Sequence, residues 1–230
     1  MIRADAASAL EQLQEECLRR HISGFEAWLR QAKEKRARFL QGILSRQPSD
    51  KMHALDIMEA LKEVQTEEMV VVVDGGNIGQ WFHQTFATES YPGHYLTCGA
   101  SGVVGFGLGG AMAARVGFPL RSVVLLSGDG SATFNLAELE CAVRQDVPFV
   151  MIIADDERWG VTASGHLQRY GRTMSSELGP VDFSRVARGF GAVGIRATNA
   201  LELKASLRRG LAAKTPVVIH VPISGGLPGE

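Results

Sequence analysis

Apolar positions follow two different periods along this chain, and the change falls shortly after residue 64. Over residues 5–46 apolar side chains recur at helical spacing: Leu10, Leu13, Cys17 and Leu18, then Phe25, Trp28 and Leu29, then Phe39, Leu40 and Ile43. Gly24 is expected to divide this stretch into two helices. Gln47-Pro48-Ser49-Asp50 breaks the pattern and offers Ser49 or Asp50 as the cap of a third helix, running through about Val64. Continuous apolar runs rich in β-branched residues then take over. They are MVVVVD at 69–74, SVVLLS at 122–127, PFVMIIA at 148–154 and PVVIHV at 216–221, with a weaker AVGIRA at 192–197. HYLTC at 94–98 reads as one more strand. Unbroken apolar strands predict burial on both faces, as in a parallel sheet covered by helices. Helical stretches at 103–115, 135–145, 182–190 and 200–213 lie between them. The alternation predicts an α/β fold: a doubly wound, mostly parallel sheet with helices on both faces, preceded by linker helices.

Length and composition narrow this picture little but exclude some partners. A chain of 230 residues, 45% apolar, suits one large domain or one domain plus an appendage. The net charge of −1 gives no overall basic field for nucleic acid. The run KEKRAR at 33–38 carries an interspersed Glu and reads as the solvated face of a helix. Cys17, Cys98 and Cys141 are widely spaced and form no CxxC pair, so neither a zinc site nor a disulfide framework is expected. A reduced, cytoplasmic setting fits. The N-terminal MIRADAASALEQ lacks the apolar core of a signal peptide. The longest apolar stretch, at 102–114, is too short to span a bilayer.

The candidate chemistry lies at the ends of two strands. SGDGSATFN at 127–135 puts Asp129 just after one, and ADDERWG at 154–160 puts Asp155 and Asp156 after the next. If the unit 122–154 is a right-handed βαβ crossover with neighbouring strands, all three carboxylates share the edge where open α/β sheets bind ligands. They would repel one another unless a cation, most naturally Mg²⁺, sat between them. Gly128 and Gly130 allow close backbone approach, Ser131 adds a hydroxyl, and a helix beginning near Asn135 would point free N–H groups at the same spot, which suits a phosphate. Asn135 with Glu138 also reads as a capping box for that helix.

GDGS, two dozen residues, and then a pair at the next strand end followed by WG resembles the motif of thiamine-diphosphate (ThDP) enzymes, the acetolactate synthase-like group in particular. The resemblance covers roughly residues 52–225. It implies that Asp129, Asp156 and the backbone carbonyl of Arg158 bind Mg²⁺, with diphosphate oxygens and water completing the shell. DGGNIGQW at 74–81 then supplies a loop touching the diphosphate, with Gly76 and Asn77 at the matching positions. CGASGVVGFGLGGAMAARVGFP at 98–119 resembles the family's glycine-rich loop and helix. There the Gly102 carbonyl would accept from the aminopyrimidine, and Val104 would be the wedge that keeps the cofactor bent. Gly128, Gly130, Ser131 and Trp159 complete the expected cofactor surroundings. Two departures stand out: the pair is Asp155-Asp156 where the family has NN or ND, and Val104 is smaller than the usual wedge. The extra charge of Asp155 is expected to make binding more dependent on metal.

GFGLGG at 105–110 matches a dinucleotide fingerprint, but its glycines do not directly follow a strand as that fingerprint requires. His166 and Gln168 lie after the metal loop, where the family often meets substrate, though packing is the simpler reading. Phe106 and Met112 read as core, and Cys98 and Cys141 as small buried hydrophobes. The resemblance also implies something missing. The family's catalytic glutamate comes from a separate pyrimidine-binding domain, and no residue here matches it. Residues 1–51 resemble the tail of the family's middle domain plus its linker, and 52–230 the diphosphate-binding domain. The chain is therefore expected to be a fragment or one subunit of a split enzyme. It would pair with a pyrimidine-binding domain or subunit and act on a 2-oxo acid or acyl-CoA type substrate. Self-association is expected, and a non-catalytic ThDP-binding module is the alternative.

Overall fold

A computed structural model describes residues 3–44, 49–86 and 94–227 of the chain. The chain forms two compact units, Met1–Ser45 and Arg46–Glu230. The first is a pair of helices, α1 (Ala6–Arg19) and α2 (Glu26–Ile43), with Gly24 at φ +94° in the link between them. Asp5 caps α1 by accepting from the Ser8 N–H at 3.0 Å. The apolar residues that gave the helical period are mostly exposed, Leu10, Leu13, Phe25 and Trp28 among them. Lys33–Arg38 are exposed throughout, as a solvated face requires.

The second unit begins with α3 (Ala54–Val64) and carries six strands: β1 (Val70–Val73), β2 (Tyr95–Leu96), β3 (Val123–Gly128), β4 (Val150–Asp155), β5 (Val193–Arg196) and β6 (Val217–Pro222). They form one sheet in the order β2-β1-β3-β4-β6-β5, every neighbouring pair parallel. Every residue of β3 and β4 is buried, which accounts for their unbroken apolar sequence. The crossover helices are α4 (Asn77–Thr85), α5 (Phe106–Gly117), α6 (Asp129–Thr133), α7 (Glu138–Arg144), α8 (Gly160–Tyr170), α9 (Phe183–Gly189) and α10 (Ala200–Leu211). From β1 the chain moves outward to β2, and from β3 it moves the other way to β4. The winding reverses between β1 and β3, so the loops leaving those strands part to form a crevice.

The core joins Val72, Leu125, Met151 and Ile153 of the strands to Leu108, Leu139 and Phe183 of the helices. Phe106 and Met112 pack against its margin. Cys98 and Cys141 are half-buried rather than buried. Among the described residues no helix is long and apolar enough to cross a membrane.

Three local expectations are corrected. The cap of α3 is neither Ser49 nor Asp50. It is His53, whose ring accepts from Leu55 N–H while Asp56 accepts from His53 N–H; Gln47 and Pro48 lie outside the described residues. The helix expected over 135–145 starts later, as Glu138–Arg144, and a separate short helix that the pattern did not show, Asp129–Thr133, starts at Asp129 itself. Asn135 and Glu138 form no capping box, because the Asn135 amide reaches across to donate to the Gly105 carbonyl at 2.7 Å.

Candidate functional site

The loops leaving β1 and β3 meet backbone to backbone. Gly128 N–H donates to the Gly75 carbonyl at 3.0 Å. A Cβ at Gly76 would stand 3.0 Å from Gly128 Cα, and one at Gly128 would stand 3.1 Å from Gly75 O. Gly76 also holds φ +97°, as the cap of α4. A Cβ on Gly75 would fall 2.5 Å from Ser131 Oγ and 2.6 Å from Val104 Cγ1, so both side chains sit over this loop.

Asp74, at the end of β1 and the start of DGGNIGQW, is the residue that fastens the loop. Its buried carboxylate accepts from the N–H groups of Gly75 (2.8 Å), Gly105 (3.0 Å) and Gly107 (3.1 Å). It thereby pins the start of α5 to the end of β1, where its charge also suits the helix N-terminus. The signal was an acid at a strand end, with a glycine-rich helix start some thirty residues on.

The register of β3 on β4 pairs Gly128 with Ala154 and sets Asp129 beside the 155–158 turn. Asp129 and Asp156 are 4% and 8% exposed. Arg158 N–H donates to Asp129 Oδ2 at 3.2 Å, and Asn77 Nδ2 donates to Asp156 Oδ2 at 2.7 Å. The Asn77 bond needs Gly160, where a Cβ would stand 2.0 Å from Asn77 Nδ2. Burial, reinforced by the Asp156 charge, pushes the Asp129 carboxyl up to about 7. Burial pushes Asp156 up to about 6, against the Asn77 hydrogen bond and the Arg158 charge. Arg158 is the positive charge beside Asp156, and it does not offset the burial of these carboxyls.

Asp155 is the third carboxylate of this edge: it shares a side-chain hydrogen bond with Asp129, and its charge helps to raise both Asp129 and Asp156. It also reaches β6, where His220 Nε2 lies 2.7 Å from its Oδ2, while Glu157 N–H donates to its Oδ1 at 3.0 Å. Burial raises this carboxyl, but the hydrogen bonds from His220 and Glu157, with the His220 charge and the hydrogen bond to Asp129, outweigh it and hold it below the ordinary range. Among the described residues no three His, Cys, Asp or Glu side chains gather as a metal-ligand cluster. A cation here would need backbone oxygen beside Asp129 and Asp156. Neither His220 nor Gly160 was singled out from sequence.

Trp159 lays its ring over Gly130, where a Cβ would meet it at 2.7 Å, and turns edge-on to Phe134 at 5.9 Å. Gly102 has φ +61° and closes the short 3-10 turn Gly99–Ser101; a Cβ there would meet nothing within 4 Å. This turn separates β2 from GFGLGG, whose glycines do not follow a strand directly. His166 is half-buried on α8 beside Tyr170, and Gln168 is exposed. Two buried side-chain atoms in the crevice have no hydrogen-bond partner, Asn77 Oδ1 and Ser131 Oγ.

Residues 74–221 match the model of a family described as "Thiamine pyrophosphate enzyme, C-terminal TPP binding domain". The chain belongs to this thiamine pyrophosphate enzyme family. It is 33% identical over 175 residues to the acetolactate synthase of Bacillus subtilis (strain 168), covering 76% of this chain and 30% of that protein. It is 31% identical over 180 residues to the acetolactate synthase isozyme 2 large subunit of Escherichia coli (strain K12), covering 76% and 32%. The fold matches that of a Rhodococcus jostii RHA1 thiamine diphosphate-dependent 4-hydroxybenzoylformate decarboxylase with a TM-score of 0.73 at 24% identity, over 79% of this chain and 34% of that one. The chain spans about a third of the length of these relatives. The family match opens at Asp74, the residue that fastens the crevice, and takes in both raised carboxyls of this thiamine pyrophosphate enzyme domain.

Proposed function

We propose that the crevice between β1 and β3 holds thiamine diphosphate and one Mg²⁺. In this reading the chain is the diphosphate-binding part of an enzyme that makes or breaks C–C bonds next to a carbonyl, of the acetolactate synthase, 2-oxo acid decarboxylase or 2-hydroxyacyl-CoA lyase type. The observation that carries the reading is a pairing within one crevice. Two buried carboxyls, Asp129 and Asp156, are raised by burial and by neighbouring carboxylates, and Ser131 Oγ and Asn77 Oδ1 are buried without partners. A hard divalent ion with oxygen ligands and a phosphate meets both needs. The glycine cradle of Gly75, Gly76 and Gly128 supports the same reading, because a Cβ would fill it.

Asp129, Asp156 and the Arg158 carbonyl are the Mg²⁺ ligands. Gly76, Asn77, Gly128, Gly130 and Ser131 face the diphosphate. Val104, over the Gly75 loop, would support the cofactor, the Gly102 carbonyl would accept from its amino group, and Trp159 would wall the site beside Gly130. When bound, the cofactor supplies the reactive carbon at which the C–C bond is made or broken. This chain's part is to bind, orient and exclude water. None of its residues matches the glutamate that moves the pyrimidine proton, so turnover needs a pyrimidine-binding domain or subunit. The helices of residues 1–51 would join the domain to what precedes it in such an enzyme. Assay with pyruvate and other 2-oxo acids tests this. The chain with ThDP and Mg²⁺ alone should show a trace rate, since losing a positioned acid–base group costs about 10²–10⁴-fold. Supplying a matching pyrimidine-binding domain should restore turnover. Persistent inactivity with the cofactor bound and the domain present would leave a binding module instead.

A further inference from the structure

The 155–158 turn carries two of the three assigned ligands, and its shape depends on one residue outside every motif. Glu157 occupies the left-handed region at φ +56°, where a side chain other than glycine is strained. Asp155 Oδ1 holds that conformation by accepting the Glu157 N–H, and the next N–H, of Arg158, then reaches Asp129 Oδ2. The second oxygen of Asp155 pairs with His220, which lies on β6 and is 1% exposed, while the same carboxylate lies against Asp129 on the crevice side. The imidazole is fixed by the edge-on ring of Phe183 at 5.4 Å, and its Nδ1 stands 3.9 Å from Asp182 Oδ1. We propose that His220 is the positioning residue of this turn, and that its bond to Asp155 keeps Asp156 and the Arg158 carbonyl presented to the metal. The proposal rests on the reading of the crevice as a metal and diphosphate site.

The physical reason is the charge at position 155. A carboxylate there sits between Asp129 and Asp156 and, unpaired, would turn away toward water and carry the turn with it. His220 gives it a donor on the side facing away from the crevice. An asparagine at 155 carries no charge and has its own N–H donors, so it would not need His220 in the same way.

Four variants test this: His220→Leu, His220→Gln, Asp155→Asn and the double variant His220→Leu with Asp155→Asn. Hydrogen exchange of the Glu157 and Arg158 amides in the metal-free chain reports the turn directly. Exchange should be at least about 10-fold faster in His220→Leu and close to wild type in His220→Gln, whose amide can reach Asp155 as Nε2 does. The Mg²⁺ concentration that half-saturates ThDP binding should rise about 10–100-fold in His220→Leu. In the Asp155→Asn background the same substitution should cost under about threefold, since the interaction it removes is already gone. Equal penalties in both backgrounds would mean that His220 only packs, and would overturn the proposal. So would wild-type exchange in His220→Leu. Should that variant fail to fold, His220→Asn replaces it. Its shorter amide should give the fast exchange that His220→Gln does not, and equal exchange in the two would also overturn the proposal. A wild-type chain that binds no ThDP would sink the reading of the crevice, while the exchange data would still decide the role of His220.

Discussion

Replacing Asp129 with Asn should stabilise the metal-free chain while removing its metal site. The folded protein keeps the Asp129 carboxyl protonated up to about 7, whereas the ordinary value in the unfolded chain is 3.8. Between those values the folded state binds the extra proton, so stability falls as pH rises through that window and levels off above it. At about 1.4 kcal/mol per pH unit, the ionised carboxyl costs up to about 4 kcal/mol at pH 8. Part of this is shared with the neighbouring Asp156, so about 1–4 kcal/mol is the expected gain for Asp129→Asn. The hydrogen bond from Arg158 N–H survives, because the Asn oxygen can accept it. Urea denaturation in EDTA at pH 8 and pH 5 measures the effect. The advantage of the variant should shrink by roughly 60% at pH 5, where the wild-type carboxyl is already neutral. With saturating Mg²⁺ and ThDP the order should reverse, since only the wild type gains from ligand binding. A variant less stable than wild type at pH 8 without metal, or a difference independent of pH, would refute the reasoning.

Gly160→Ala would drive a methyl into Asn77 Nδ2 and to 2.7 Å from Asp156 Oδ2. Calorimetry should show Mg²⁺-supported ThDP binding weakened about 10–100-fold with the far-ultraviolet dichroism unchanged. Asp74→Ala leaves the Gly105 and Gly107 N–H groups buried without acceptors and should cost about 2–5 kcal/mol in urea denaturation. Phe134, Val161, Leu167 and Tyr170 are exposed apolar side chains on α8 and the segment after α6. We expect self-association, most simply as a two-fold dimer, and a strictly monomeric species in sedimentation at high concentration would count against it.

The strands were legible because burial on both faces leaves a local mark, an unbroken β-branched run. The turn that carries Asp129 was legible for a similar reason, since GDG at a strand end is a local pattern. Asn135 and Glu138 matched a local template equally well, yet the Asn135 side chain found a better acceptor in Gly105, thirty residues away. Asp155 was legible at this edge from its place beside Asp156 at a strand end, and it does lie against Asp129. Its partner His220 was not, because only sheet order brings β6 to it. Asp74 was hidden because three of its donors lie on the backbone, where sequence carries no label, and the fourth, the Ser127 hydroxyl, comes from a neighbouring strand. What sequence missed are contacts across the sheet; what it caught are patterns within one loop.

If the proposed function is right, the crevice holds a diphosphate only through a divalent ion. Titration calorimetry of wild-type chain with ThDP, in Mg²⁺ and then in EDTA, tests it most directly. The account predicts binding in Mg²⁺, its loss in EDTA, and its loss in Asp129→Ala even with Mg²⁺ present. Equal affinity with and without the metal, or unchanged affinity in Asp129→Ala, would contradict it.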